Sequence, residues 1–275
     1  MTTETQAVVL ITGASSGIGL AAAQLFAQRG WRVAATMRNP SDGAQLAAQA
    51  GVTVLAMDVT DPASVNAAVA ATLEKFGRID ALVNNAGYGL FGPFETATDE
   101  QIRRQFATNV DGIFATTRAV LPAMRKQGSG AIVNVASIGG LVTLPFFSLY
   151  HATKYAVVGF TESLSFELAP LGIRAKCIAP GGVATDFAGR SLVRTFGDGG
   201  NAYSDTLNKV TAAISERRAG YSSPESIAEV IYRAATDDTG QVMYAAGQDA
   251  EQIFHLRQSL PEAERLAVTR QRSGL

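Results

Sequence analysis

Short apolar runs alternate with alanine-rich amphipathic stretches along most of the chain. The apolar runs lie near 6–12, 31–37, 52–57, 80–84, 130–136, 173–178 and 241–246. Each is nearly continuous, the pattern of a strand covered by helices on both faces. Helical stretches fill the gaps, near 17–29, 41–50, 62–76, 99–126, 150–169 and 223–236. Asp61 before Pro62 reads as a helix N-cap followed by a first-turn proline. This alternation predicts right-handed βαβ crossovers and a parallel sheet. The expected fold class is α/β: one Rossmann-type doubly wound domain over residues 1–275, with about seven parallel strands flanked by helices.

Two regions break the rhythm. Residues 179–222 form a connection far longer than ordinary loops and are expected to act as a lid. Residues 248–275 run past the last apolar segment as a polar, arginine-bearing tail. No internal repeat, low-complexity tract or Pro/Ser/Gly-rich linker divides the chain.

Composition narrows the function. Hydrophobic residues make up 47% and charged residues 17% of 275, which supports a core on both faces of a sheet. The formal net charge is −1, with no long block of either sign; this argues against nucleic acid and anionic membrane as partners. Cys177 is the only cysteine, and His151 and His255 are far apart. No disulfide framework and no metal site are expected. The N-terminal MTTETQ carries no Lys or Arg, and the VVLI run after it suits neither a signal peptide nor a membrane span. A soluble, cytoplasmic protein is expected.

Three motifs carry chemistry. Thr12-Gly13-Ala14-Ser15-Ser16-Gly17-Ile18-Gly19 falls between the first strand and the first helix. Glycines there allow a sharp turn, and a helix N-terminus offers free N–H groups to a pyrophosphate. Asn84-Asn85-Ala86-Gly87 ends the fourth strand, where ligands of open α/β sheets bind. Tyr150-His151-Ala152-Thr153-Lys154 puts a phenol and an ammonium at i, i+4 on one helix face. A lysine charge there is expected to lower the phenol pKa toward working pH, fitting Tyr150 for general acid/base chemistry. Ser137, at the end of the fifth strand, is placed to bond the substrate oxygen. His151 faces away from Tyr150 and is read as non-catalytic, while Cys177 and Trp31 are read as packing residues.

On these motifs the chain resembles the short-chain dehydrogenase/reductase family from about residue 6 to 247. TGASSGIG is similar to the family's TGxxxGxG, NNAG is present as such, and YHATK matches YxxxK. The resemblance implies a catalytic set of Asn109, Ser137, Tyr150 and Lys154. In it Lys154 holds the nicotinamide ribose, Ser137 and Tyr150 bond the substrate oxygen, and hydride passes between nicotinamide and carbonyl carbon. The backbone around Asn109 would hold a water linking the lysine to solvent. The implied cofactor residues are Gly13, Ser15, Ser16, Gly17, Ile18, Gly19, Arg38, Asp58, Val59, Asn85, Ala86, Gly87, Tyr150, Lys154, Pro180, Gly181, Val183 and Thr185. Asp58 would contact the adenine, and the PGGVAT loop from Pro180 would close over the nicotinamide.

The end of the second strand reads Ala35-Thr36-Met37-Arg38-Asn39, with no acid to accept the ribose 2′-hydroxyl. Arg38 suits a 2′-phosphate, so NADP(H) is expected over NAD(H), although Ser16 withholds the basic residue some NADP enzymes carry there. The segments expected to flank the nicotinamide are Tyr88-Gly89-Leu90-Phe91, Leu141–Phe147 and a lid with Phe187, Leu192, Val193 and Phe196. They predict a sizeable, mostly apolar ketone or secondary alcohol, steroid-like, retinoid-like or aryl. The YGLFGPFE stretch and MRNP turn resemble family members grouped with 17β-hydroxysteroid and retinol dehydrogenases. Arg190 and Arg194 are the candidates for meeting an anionic tail. The helices at 99–126 and 150–169 resemble those that pair in family oligomers, so a homodimer or homotetramer is expected. The competing functions are a sugar-nucleotide epimerase or dehydratase, disfavoured by the glycine spacing, and a dinucleotide-sensing regulator, disfavoured by the intact Ser/Tyr/Lys set.

Overall fold

The computed structural model describes residues 6–185, 191–196 and 202–275. The chain enters at β1 (Val8–Thr12), turns into α1 (Gly17–Gln28), and returns in β2 (Arg32–Met37) beside it. A short helical turn, α2 (Ala44–Ala47), leads to the edge strand β3 (Val52–Ala56). α3 (Pro62–Phe76) then carries the chain back across the sheet to β4 (Ala81–Asn84). β6 (Gly130–Val135), β7 (Ile173–Pro180) and β9 (Met243–Ala246) extend the other half. The sheet order is β3-β2-β1-β4-β6-β7-β9, every pairing parallel. Strand order reverses between β1 and β4, so a crevice opens above their carboxyl ends.

Local chemistry sets the helix ends. The Asp61 carboxylate accepts from Ala63 N–H at 2.9 Å, Pro62 opens α3, and Gly77 closes it at φ 78°. Thr98 and Gln101 form a reciprocal capping box at α4 (Asp99–Phe106). Ser16, by contrast, caps α1 without a side-chain hydrogen bond. The N–H groups of that turn therefore face the crevice unclaimed by their own cap.

The core has two main layers. On one face, Val9, Ile11, Val33, Val83 and Val133 pack against α1 and α8 (Pro224–Thr236). On the other, Leu10, Ala34, Leu82 and Ile132 meet α3, α5 (Gly112–Gln127) and α6 (Ser148–Leu168). Two amides run through this second layer. Asn84 Nδ2 donates to Asn134 Oδ1 at 2.9 Å and to the Thr117 hydroxyl at 3.2 Å. Thr116 donates to Asn84 Oδ1 at 2.6 Å, and Asn134 Nδ2 donates to the Thr161 hydroxyl at 2.9 Å. All five side chains are buried, and these bonds offset the cost of placing them there.

Three sequence expectations need correction. The helix expected over 99–126 is two helices, α4 and α5, joined by a π-helical turn over Ala107–Asp111 that contains Asn109. The 179–222 connection holds a strand, β8 (Leu192–Arg194), paired in parallel with β5 (Gly89–Phe91), and a helix, α7 (Ser204–Glu216). The polar tail folds into α9 (Gln248–Ser259) and α10 (Glu262–Arg272). Only Ala250 of α9 is fully buried, with Ile253 and Phe254 partly so. Too few apolar residues repeat for periodicity to reveal these helices.

Candidate active site

A cleft of about 1700 Å³ opens above the carboxyl ends of the strands. Its floor is set by a hydrogen-bonded weld between the loops after β1 and β4. The Thr12 hydroxyl accepts from Asn85 N–H and Ala86 N–H, both at 3.0 Å. In return Asn85 Nδ2 donates to Thr12 O at 3.0 Å and Gly13 O at 3.1 Å. Gly13 and Gly17 adopt φ 66° and 55°. A Cβ on Gly19 would stand 2.3 Å from Gly13 O and 2.5 Å from Asn85 Nδ2. Gly19 thus packs beneath the loop rather than lining the cleft, while Gly13, Ser15, Ser16, Gly17 and Ile18 line it. This cradle fits a dinucleotide: its glycines admit backbone close to a pyrophosphate, above a helix N-terminus with free N–H groups.

Met37, Arg38, Asp58 and Val59 line one end of the cleft, and Asn85, Ala86 and Gly87 its centre. Pro180, Gly181, Val183 and Thr185 form the wall above β7. Thr60 donates its hydroxyl to Asp58 Oδ1 at 2.7 Å and its N–H at 2.9 Å. The Thr60 hydroxyl bond does most to hold the Asp58 carboxyl below its ordinary pKa, against burial, with Arg38 and Arg104 acting in the same direction.

The catalytic candidates come from three elements. Ser137 follows β6, its Oγ accepting from Gly139 N–H at 3.0 Å and bonding the Tyr150 hydroxyl. Tyr150 and Lys154 sit on the first turns of α6. Lys154 is buried, its ammonium donating to Val135 O at 2.9 Å and lying 5.7 Å from the centre of the Tyr150 ring. Burial lowers the lysine from 10.5 to about 8. The expected lowering of the phenol is not found. Burial raises the Tyr150 pKa, and the Ser137 hydrogen bond only partly opposes it. The ammonium points at a carbonyl rather than at the phenol oxygen, so it does not offset that burial.

Asn109 does not line the cleft. Its Oδ1 accepts from Tyr88 N–H at 3.0 Å, and its Nδ2 donates to Tyr88 O at 2.8 Å and to Thr153 at 3.2 Å. The π turn widens the helix just where this side chain clamps the segment after Gly87 to α6. Gln105 reinforces it, donating to Tyr88 O at 2.7 Å.

His151 also lines the cleft, its ring 6.0 Å from that of Tyr150, and it shapes the site. Leu144 N–H donates to its Nε2 at 2.8 Å, which leaves Nδ1–H to donate to Gly139 O at 2.7 Å. Burial lowers its pKa, and the neutral ring staples both ends of the loop over Gly139–Leu144 to α6. Sequence spacing gave no sign of this, because both bonds run to backbone of a loop that no periodicity places. Asp249 was also unforeseen. Its Oδ2 accepts from Gly182 N–H at 2.7 Å, holding the wall loop from α9. Its place just past the last strand's carboxyl end was the available signal.

The aromatic residues divide. Phe91 and Phe147 pack at 4.8 Å and both line the cleft, with Phe147 6.1 Å from the Tyr150 ring. Phe146 and Phe196 pack behind them against Phe91. Leu90 is buried beneath the cleft rather than lining it, while Leu192 and Val193 line it. The Arg194 guanidinium lies over Phe196 at 5.8 Å. Phe187 and Arg190 lie outside the described residues. Among the described residues, no helix is long and apolar enough to cross a membrane, and no group of three His, Cys, Asp or Glu could hold a metal.

Residues 7–193 match the family model described as short chain dehydrogenase. The chain belongs to the short-chain dehydrogenase family. It is an oxidoreductase working between C–OH and C=O, as the family's dehydrogenases and reductases are. An uncharacterized oxidoreductase of Schizosaccharomyces pombe is 37% identical over 244 residues, covering 87% of this chain and 100% of that protein. A 3-ketodihydrosphingosine reductase of Bacteroides thetaiotaomicron is 35% identical, covering 82% and 81%. Among solved structures, a short-chain dehydrogenase from Streptomyces avermitilis superposes with a TM-score of 0.84 at 32% identity, covering 97% of this chain and 98% of that one. A 3-ketoacyl-(acyl-carrier-protein) reductase from Brucella melitensis, complexed with NADH, gives 0.74 at 30% identity, covering 87% and 96%. ElxO with NADP bound gives 0.73 at 28%, covering 87% and 97%. The seven-stranded order and the helices on both faces are thus those of the family.

Proposed function

We propose that the protein is an NADP(H)-dependent reductase of mostly apolar ketones, and dehydrogenase of the matching secondary alcohols, with Tyr150 as general acid/base. The observation that carries this reading is the Tyr150 phenol, bonded to Ser137 and backed by the buried Lys154, within one cleft shared with the glycine cradle. Two similar structures hold NADH and NADP, which supports a nicotinamide dinucleotide here. Gly13, Ser15, Ser16, Gly17 and Ile18 would hold its pyrophosphate, Asp58 and Val59 its adenine end, and Asn85, Gly87 and the Pro180–Thr185 wall its nicotinamide end. When bound, that ring supplies or accepts the hydride. The rest belongs to the chain. Ser137 orients the substrate oxygen, and Tyr150, kept neutral by burial, gives that oxygen its proton in reduction. Lys154, with a pKa of about 8, can pass a proton to the phenol afterwards. Residues 1–275 act together as one dinucleotide-binding domain whose lid and tail close the cleft.

NADP(H) is favoured because the end of β2 offers Arg38 to the cleft and no acid. Arg38 and Arg104 both act on Asp58, so positive charge gathers where a 2′-phosphate would sit. An apolar substrate is favoured by the lining beside Tyr150: Phe91, Ile138, Val142, Leu144, Phe147 and Leu192. Initial rates across steroids, aryl ketones, short aliphatic ketones, sugars and keto acids, each with both cofactors, test the reading. The highest kcat/KM is expected for a bulky apolar ketone with NADPH, and Arg38→Leu should abolish the preference between cofactors. Best turnover of a sugar or small keto acid, or a clear NADH preference in the wild type, would overturn the assignment concerned.

A homodimer or homotetramer belongs to the same reading. Phe166 on α6, one of the helices that resemble those pairing in family oligomers, is 80% exposed and open to such a contact. Light scattering at micromolar concentration should show an assembly, and monomer alone would refute it.

A further inference from the structure

The cleft does not end at the catalytic tyrosine. The same cleft of about 1700 Å³ that holds the dinucleotide cradle runs on between helix α7 and the tail helices α9 and α10. Its walls there include apolar side chains: Ile214 from α7, Ile253 and Leu256 from α9, and Leu260 just after it. The same walls carry cations, Arg217 after α7 and Arg265 and Arg272 from α10.

The burial pattern shows that this is an inward-facing charge. Along α10 only Arg265, Val268, Thr269 and Arg272 are partly buried, spaced i, i+3, i+4, i+7, while the remaining residues of the helix are exposed. All four line the cleft. Arg217 is likewise half-buried, whereas Arg218 and Arg270 stand in solvent. These cations are poorly matched by acids. Arg265 meets Glu262 only at 3.9 Å, and that carboxylate is 81% exposed. Among the described residues, Arg217 and Arg272 make no salt bridge; Glu216, beside Arg217 at the cleft, is exposed and acts on it without an ion pair. Asp249 lies toward the nicotinamide wall, with one oxygen already bonded to Gly182 N–H. Burial lowers the Arg217 pKa, and the nearby Arg272 lowers it further, so the two guanidiniums repel across the cleft.

Half-desolvated like charges facing one cavity are stabilised most by an anion placed between them. The guanidinium fork matches the planar or tetrahedral oxygens of carboxylate, phosphate and sulfonate. We propose that Arg217, Arg265 and Arg272 bind the terminal oxyanion of an elongated substrate, whose apolar middle lies along α9 and whose carbonyl reaches Tyr150. This deepens the reductase reading and rests on it for the carbonyl end. The substrate is then a bulky, mostly apolar ketone whose far end carries a carboxylate, phosphate or sulfonate.

The test compares ω-benzoyl alkanoates of graded chain length with their methyl esters. At one best chain length the acid should exceed its ester by about tenfold or more in kcat/KM. Arg217→Gln and Arg272→Gln should each remove most of that advantage through KM while leaving ester turnover unchanged. Equal rates for acid and ester, or variants that slow both alike, would overturn the site. If no ketone is reduced, the reductase reading fails, and the anion site is judged by calorimetric titration of dodecanoate into the cofactor-bound protein. Binding weakened about tenfold by Arg272→Gln supports the site, and undiminished or absent binding removes it.

Discussion

Tyr150→Phe is expected to lower turnover by about 10²–10⁴-fold, the range of a general acid–base group, with cofactor affinity kept. The substitution deletes one oxygen and leaves the ring, its 6.1 Å approach to Phe147 and the Lys154 ammonium beside it in place. What disappears is the proton donor and its bond to Ser137. Because burial raises the phenol, the wild type holds Tyr150 protonated at neutral pH. Ketone reduction should therefore be insensitive to pH around neutrality and fall only in strong base. Alcohol oxidation needs the phenolate and should rise with pH over the same interval. Steady-state rates in both directions, with cofactor binding followed by fluorescence, provide the check. Turnover within a factor of about three of wild type, far inside that range, would remove Tyr150 from the mechanism.

Lys154→Met should separate activity from stability. Turnover is expected to fall at least about 10²-fold, since the proposed proton relay and the ribose contact that the family resemblance implies would both be lost. Yet the folded protein should lose no stability at neutral pH. The lysine is a base whose folded pKa, about 8, lies below the ordinary 10.5. Below about 8 both folded and unfolded chains carry the charge, so the fold bears the cost of burying it. Between about 8 and 10.5 the unfolded chain binds the proton and the folded one does not. Stability contributed by this site therefore rises with pH across that window. Methionine fills a similar volume without charge, and relief of that cost outweighs the bond lost at Val135 O, worth about 1 kcal/mol. Urea unfolding from neutral to alkaline pH should show the wild type gaining on the variant only within the window. Lys176, also lowered by burial, titrates in both proteins and cancels in the difference. A variant less stable than wild type at neutral pH, with the same pH slope, would contradict the account.

The sheet was legible in the sequence because its strands are buried on both faces, which writes them as unbroken apolar runs. All seven predicted strands are present, and Asp61 and Pro62 begin α3 as their chemistry requires. The glycine loop, Asn85 and Ser137 were legible because each combines a special residue type with a strand end, and Tyr150 and Lys154 because i, i+4 spacing puts them on one helix face. Their geometry converges on one cleft. The failures share a cause. The clamp by Asn109 in its π turn, the staple by His151 and the hold of Asp249 on Gly182 all run through hydrogen bonds to backbone distant in sequence. No periodicity encodes such contacts. The tail helices escaped because α10 turns polar residues inward, toward a cavity instead of a core. The phenol pKa was misjudged because i, i+4 spacing fixes a shared face but not where the ammonium points.

The amide chain between β4 and β6 has a consequence for how this protein can vary. Each link from Thr116 through Asn84 and Asn134 to Thr161 uses the donor of one group and the acceptor of the next. A single apolar replacement strands its neighbour's polar atom in a dry layer, whereas removing the chain as a whole leaves only the Thr117 hydroxyl without its Asn84 bond. The sites are thus thermodynamically coupled, and the effect of each substitution depends on which residues occupy the others. Accepted changes at these positions would have to arrive nearly together. Since Asn84 immediately precedes the Asn85 weld to the glycine loop, the crevice floor inherits that resistance to piecemeal change, while the surrounding substrate walls remain free to diverge.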